Sequence, residues 1–111
     1  MNWNSLTSTD QINDIDKLSS TQKIFILKHS TRCSISSSAL SRIERKWKDG
    51  DEKKIQPYFL DLIKYRDVSN ALASHYKVEH QSPQLLIIED GKCIFSETHF
   101  DINYESLMQH A

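Results

Sequence analysis

Glycine, proline and cysteine are each represented by only two residues among the 111 of this chain. With no tract of biased composition and no internal repeat, solenoid and linker-rich architectures are excluded, and the length accommodates one domain, residues 1–111, around one core. Two cysteines, Cys33 and Cys93, are too few for a disulfide scaffold, and five scattered histidines distant from them do not form a zinc spacing. Charge of one sign is lacking as well. The 14 basic and 15 acidic side chains leave a net charge of −1 and are interspersed rather than blocked, so nothing marks a surface for nucleic acid or an anionic membrane. No run approaches the roughly 20 apolar residues of a membrane span. The first residues, MNWNSLTSTDQ, are polar where a signal peptide carries a basic head and an apolar stretch. The expectation is a cytoplasmic protein.

What is present is a regular succession of elements. Ser8 and Gln11 make a capping-box pair, and Ile12, Ile15 and Leu18 follow at helical spacing, predicting a helix over about 9–19. KIFIL from Lys23 is continuously apolar, the pattern of a strand covered on both faces. Ile35, Ala39, Ile43 and Trp47 step by four through a second helix, Ser34 to Lys48, which Asp49-Gly50 stops. QPYFLDLI reads as a strand whose Pro57 favours a sheet edge. Asp67 is placed to cap a third helix bearing Val68, Ala71, Leu72 and Tyr76. QLLII and CIFSE flank EDGK, a hairpin signal, and Asn103 is placed to cap a closing helix with Leu107 and Met108.

Helix, strand, helix, strand, helix, strand, strand, helix requires a parallel portion with crossover helices and an antiparallel hairpin at one end. The expected fold is α/β: a four-stranded mixed sheet with helices on both faces, in the order second, first, third, fourth strand, with Pro57 on the outer strand. That order is the arrangement of thioredoxin. HYKVEHQSPQLLIIEDGK looks like the thioredoxin-superfamily stretch of helix end, loop, prolyl bond, buried strand and glycine hairpin. The resemblance implies a cis-proline loop over 80–83, with Ser82-Pro83 as its cis peptide.

Cys33 lies in STRCSIS, residues 30–36, where the first buried strand ends and the second helix starts. Open α/β sheets place their ligands at that end of a strand. The N–H groups of Ile35 and Ser36 lack helical acceptors there, and the positive helix end favours a thiolate, with the cation of Arg32 adding to it. A free cysteine is commonly a small buried hydrophobe, but the polar flanks argue against burial. Ser36 occupies the position that a resolving thiol would take in a dithiol site. Cys93 cannot replace it: the strand from Gln84 to Glu89 spans roughly 20 Å at about 3.3 Å per residue, and a bridge needs Cα atoms within about 7 Å. Cys93 is read as strand packing.

LKHSTRCSIS resembles the signature of the monothiol bacilliredoxins, thiol-exchange proteins of bacillithiol systems, and the likeness extends to QSPQLLIIEDGK and SETHFDINYESL. Two residues depart from it. Arg32 stands before the cysteine, and Ser34 replaces the proline that usually follows it, leaving a good helix start without the rigid first residue. The resemblance implies an oxidoreductase in which Cys33 removes a small thiol, bacillithiol or an equivalent, from S-thiolated proteins. The thiol would be a co-substrate, with no bound cofactor or metal. Ser82 and Pro83 would bind the substrate, Ser36 would hydrogen-bond the thiolate, and Arg32 would attract the carboxylates of an acidic small thiol, a task His29 could share although a histidine at a strand end is more often structural. His99 matches a family position without a role that the residues themselves suggest. Two other readings are a thioredoxin-fold interaction module whose thiol is incidental, and a glutaredoxin-like reductase using another small thiol.

Overall fold

The computed structural model describes all residues, 1–111. The apolar run becomes β2, Lys23–His29, which is buried from Ile24 onward. Its side chains alternate between two layers, as the pleat requires. Ile24 and Ile26 join Ile12 and Ile15 of α1 (Gln11–Leu18) and Val68 and Leu72 of α3 (Arg66–Tyr76) on one face. Phe25 and Leu27 join Ala39 and Ile43 of α2 (Ser34–Lys46) and Leu107 of α4 (Tyr104–Gln109) on the other.

The sheet has five strands, in the order β1-β3-β2-β4-β5, with β1 Asn4–Ser5, β3 Ile55–Asp61, β4 Gln84–Glu89 and β5 Lys92–Thr98. β2 runs parallel to β3 and antiparallel to β4, which pairs with β5. The order predicted for four strands is present. The correction is β1, two polar, exposed residues that no apolar pattern could announce. β1 pairs with Tyr58 and Phe59, so the strand of Pro57 is not the outermost. Pro57 is tolerated because its unpaired side faces β1, where its carbonyl accepts from Asn4 Nδ2 at 3.0 Å.

The termini of the elements shift by small amounts, each for a local reason. Half of the predicted capping box forms. Gln11 Oε1 accepts from Ser8 N at 3.0 Å and Thr7 N at 2.8 Å, while Ser8 Oγ takes Asp10 N rather than the amide of Gln11. α2 stops at Lys46 because Trp47 turns extended to pack on Phe25. Its buried face is Ser36, Ala39 and Ile43, rotated from the expected stripe, so that Ile35 is only partly covered. Asp67 lies in the first turn of α3 rather than at its cap, which is Tyr65. Asn103 caps α4 as expected, accepting from Ser106 N at 2.8 Å.

In the hairpin both Asp90 and Gly91 take positive φ, 50° and 72°, the pair of angles that matches the twist of the strands. Asp90 N and Gly91 N donate to Ser19 at the end of α1. A bulge at Ile87/Ile88 then displaces Ile94 and sends Phe95 to the α2 face and Cys93 to the α1/α3 face.

Asp51 is a buried carboxylate that accepts from Tyr104 Oη at 2.5 Å and Lys48 N at 3.0 Å. Burial raises its pKa, but the hydrogen bonds from Tyr104 and Lys48 outweigh this and leave it below its ordinary value. Tyr104 is pushed up to about 12, first by that bond. Tyr104→Phe should therefore cost about 2 kcal/mol at neutral pH. The stabilisation is present above the unfolded carboxylate value and lost as pH falls through the lowered folded one, so the deficit should shrink on acidification. Urea unfolding at several pH values checks this, and a deficit independent of pH would contradict it.

Candidate active site

β2 delivers the chain to the C-terminal edge of the sheet, where Cys33 N closes a turn onto Ser30 O at 3.2 Å. Cys33 is the N-cap of α2, with extended backbone angles, φ −116° and ψ 120°. Its carbonyl accepts the first helical bond, from Ser37 N at 3.1 Å. The N–H groups of Ser34, Ile35 and Ser36 consequently have no main-chain acceptor, as the first turn of a helix dictates. Cys33 is partly exposed, and its sulfur makes no capping hydrogen bond to them. Arg32 and Ser34, the chain neighbours of Cys33, are exposed, and Arg32 is in no ion pair.

The Ser36 hydroxyl corrects one expectation. It is buried and accepts from Ser30 N at 2.9 Å, so its own hydrogen is directed to His29 Nδ1 at 2.8 Å. A hydroxyl engaged on both sides has no donor left for the Cys33 thiolate. His29 takes the structural place expected of a histidine at a strand end: only 5% exposed, it faces inward against Phe59 rather than outward to carboxylates. Burial lowers its pKa against the opposing charge of Asp61, which keeps the ring neutral with its proton on Nε2. Ser36 and His29 therefore brace the turn that carries Cys33.

Beside this turn lies the loop from α3 to β4. Lys28 pairs with Gln84 across the antiparallel ladder. That is the last pair of the ladder, so Ser82 and Pro83, just before Gln84, lie at the end of the sheet where β2 leads on to Cys33. The Ser82-Pro83 peptide is cis, with Pro83 buried and Ser82 half-buried. Pro83 O accepts from His99 N at 3.1 Å, and Arg42 of α2 donates to His99 O at 3.3 Å and Ile102 O at 3.0 Å. His99 thus serves through its main chain, at a φ of 52°, and Arg42 ties the same segment to the helix that Cys33 begins.

Sequence reasoning placed Cys33, Arg32, Ser82 and Pro83 at this pole and passed over Lys28, His80, Gln84 and Arg42. A lysine inside an otherwise apolar buried run was the available signal for the first of these.

Cys93 lies in the row of Ile24 and Ile88 on the α1/α3 face. From Ile24 to His29, β2 advances about 16 Å, and Cys33 lies further still, beyond any disulfide reach. Both cysteines are free. Burial pushes the Cys93 thiol up, and its sulfur donates to Phe95 O at 3.4 Å.

A lone partly exposed cysteine at the head of the helix after a central strand, with a cis-prolyl loop alongside, defines a thiol oxidoreductase of the thioredoxin fold. A family model described as the monothiol bacilliredoxin BrxC matches residues 4–107, and the chain belongs to that family. It is similar to a solved thioredoxin-fold protein provisionally described as an oxidoreductase, with 31% identity and a TM-score of 0.80 over 95% of this chain and 89% of that one. The thioredoxin Mala s 13 of Malassezia sympodialis matches at a TM-score of 0.76 and 13% identity over 98% of this chain and 87% of its own. Fasciola hepatica thioredoxin matches at 0.70 and 14% over 96% and 93%. The last two likenesses are of fold alone. No helix is long and apolar enough to cross a membrane.

The different settings of the two thiols are directly measurable. At neutral pH, iodoacetamide should alkylate Cys33 about ten-fold faster than Cys93, or more, because Cys33 heads a helix whereas burial pushes the Cys93 thiol up. Peptide mass spectrometry over a time course checks this. Equal rates would show that the helix end does not activate Cys33.

Proposed function

We propose that the chain removes bacillithiol, or an equivalent small thiol, from proteins modified by it, through Cys33 alone. The Cys33 thiolate attacks the small-thiol sulfur of the mixed disulfide. The bond to the protein sulfur breaks, and the protein leaves as a thiolate that takes a proton from water. The small thiol is then disulfide-bonded to Cys33. A second molecule of small thiol, as its thiolate, attacks that sulfur, frees Cys33 and departs as the symmetrical disulfide. Both steps are thiol–disulfide exchanges: the first reduces the protein sulfur and oxidises Cys33, and the second reduces Cys33 and oxidises the incoming small thiol.

Arg32 and the N–H groups of Ile35 and Ser36 supply the positive field that stabilises the Cys33 thiolate, and Arg32 attracts the carboxylates of the small thiol. The main chain of Ser82, before Pro83, pairs with the extended segment of the protein substrate. The partners are S-thiolated proteins and free small thiol, and the reaction suits a reducing compartment such as the cytoplasm. The observation that carries this reading is the isolation of Cys33. The position of a resolving thiol holds buried Ser36, engaged with Ser30 and His29, and Cys93 lies at the other end of the sheet.

Cys33→Ser should abolish release of the small thiol from a bacillithiolated protein, whereas Cys93→Ser should leave turnover within about two-fold of the parent, since it touches no group of the site. Without added thiol, the wild-type chain should release at most one protein thiol per Cys33 and retain the small thiol; adding bacillithiol should restore cycling. Mass spectrometry follows both steps. An internal Cys33–Cys93 disulfide with unaided release would refute the monothiol route. Cycling with glutathione but not bacillithiol would replace the co-substrate, and no transfer from any mixed disulfide would favour an interaction module.

A further inference from the structure

Lys28 carries a charge that the exchange chemistry does not use. It is fully buried on the α1/α3 side of β2, opposite to the face that His29 occupies. No carboxylate lies within ion-pair distance of it. Its Nζ instead donates to His80 Nδ1 at 2.7 Å and to Gln84 Oε1 at 3.3 Å. An uncompensated buried ammonium is costly, and a methionine or leucine at this place would be easier to bury.

The partners all belong to, or rest against, one segment. Gln84 Oε1 also accepts from Gln81 N at 3.2 Å, and Gln84 Nε2 donates to Glu79 O at 3.0 Å. Ser69 Oγ of α3 stands 3.4 Å from His80 Nδ1. His80 and Gln84 thus hold the lysine head and Gln84 ties in Glu79 and Gln81, with Ser82 and Pro83 in the chain between these anchored residues. The charged groups around it are consistent with this. Burial, then Arg66, lowers Lys28 to about 8. Burial, then Lys28 and Arg66, lowers His80, so the ring is neutral and free to accept.

We propose that Lys28 is a positioning residue for protein substrates: held by His80 and Gln84, its ammonium fixes residues 79–84 so that the Ser82 main chain is presented beside Cys33. This rests on the substrate reading above, in which a protein segment pairs with Ser82. A small disulfide or an alkylating agent, which needs only the sulfur, gains nothing from it.

Lys28→Met keeps the length and volume of the side chain and removes the donor. It should raise KM for a bacillithiolated protein about ten-fold with kcat nearly unchanged, and leave iodoacetamide alkylation of Cys33 within about two-fold of wild type, in keeping with loss of a binding interaction alone. In wild type, KM for the protein should rise above pH 8 as the ammonium is lost, and in Lys28→Met that rise should vanish. His80→Gln, which retains an acceptor, should preserve protein turnover, while His80→Leu should not. Amide exchange read by mass spectrometry separates this from the substrate assignment: Lys28→Met, or His80→Leu should the former fail to fold, should speed exchange in residues 79–84 and not in β2 or α2, whether or not the protein substrate is turned over. Unchanged protection of 79–84, or equal losses towards protein and iodoacetamide, would overturn the proposal. A wild type inactive on the protein with 79–84 loosened in the variant would refute the substrate and leave the positioning established.

Discussion

The burial of β2 is the constraint on which the rest depends. With helices on both faces and a strand on each edge, every residue from Ile24 to Ser30 is withdrawn from water. Its polar residues must therefore find partners inside the protein. Lys28 finds them in the loop before β4, and His29 and Ser30 find theirs in Ser36 of α2. The two segments that flank the thiol, the head of α2 and the 79–84 loop, are both pinned to the same strand end. The apolar residues of β2 supply the stability, and Lys28, His29 and the Ser30 that follows them tie both segments to its end.

This accounts for the form that the thiol site takes. Ser36 lies on the side of α2 that meets the sheet, where its oxygen completes a buried network. A sulfur there would be a poorer acceptor for Ser30 N–H and a poorer donor to His29. The serine is therefore a structural part of the turn as well as the absence of a second thiol. No second sulfur lies within disulfide reach of the partly exposed Cys33.

Much of this architecture was legible in the residues. The two-faced burial of KIFIL, the hairpin at Asp90-Gly91, the Asn103 cap and the order of the four main strands all follow from local pattern, because period, turn chemistry and crossover handedness act over short stretches of chain. β1 was not legible: two polar residues carry no period, and they pair only because β3 offers them an edge. The rotation of α2 that buries Ser36 and uncovers Ile35 was not legible either, since a shift of one residue about the helix axis depends on what the opposing sheet presents.

The sequence by itself determined that a single cysteine would stand at the head of a helix after a buried strand, because hydrophobic period and helix-start signals are properties of neighbouring residues. Only the tertiary structure decided what the polar side chains around that cysteine do. Lys28 reaches His80 across 52 residues, and Arg42 reaches Ile102 across 60. Hydrogen bonds between groups so far apart in the chain depend on the register of strands and the rotation of helices about their axes, and these are set by the packing of the whole core.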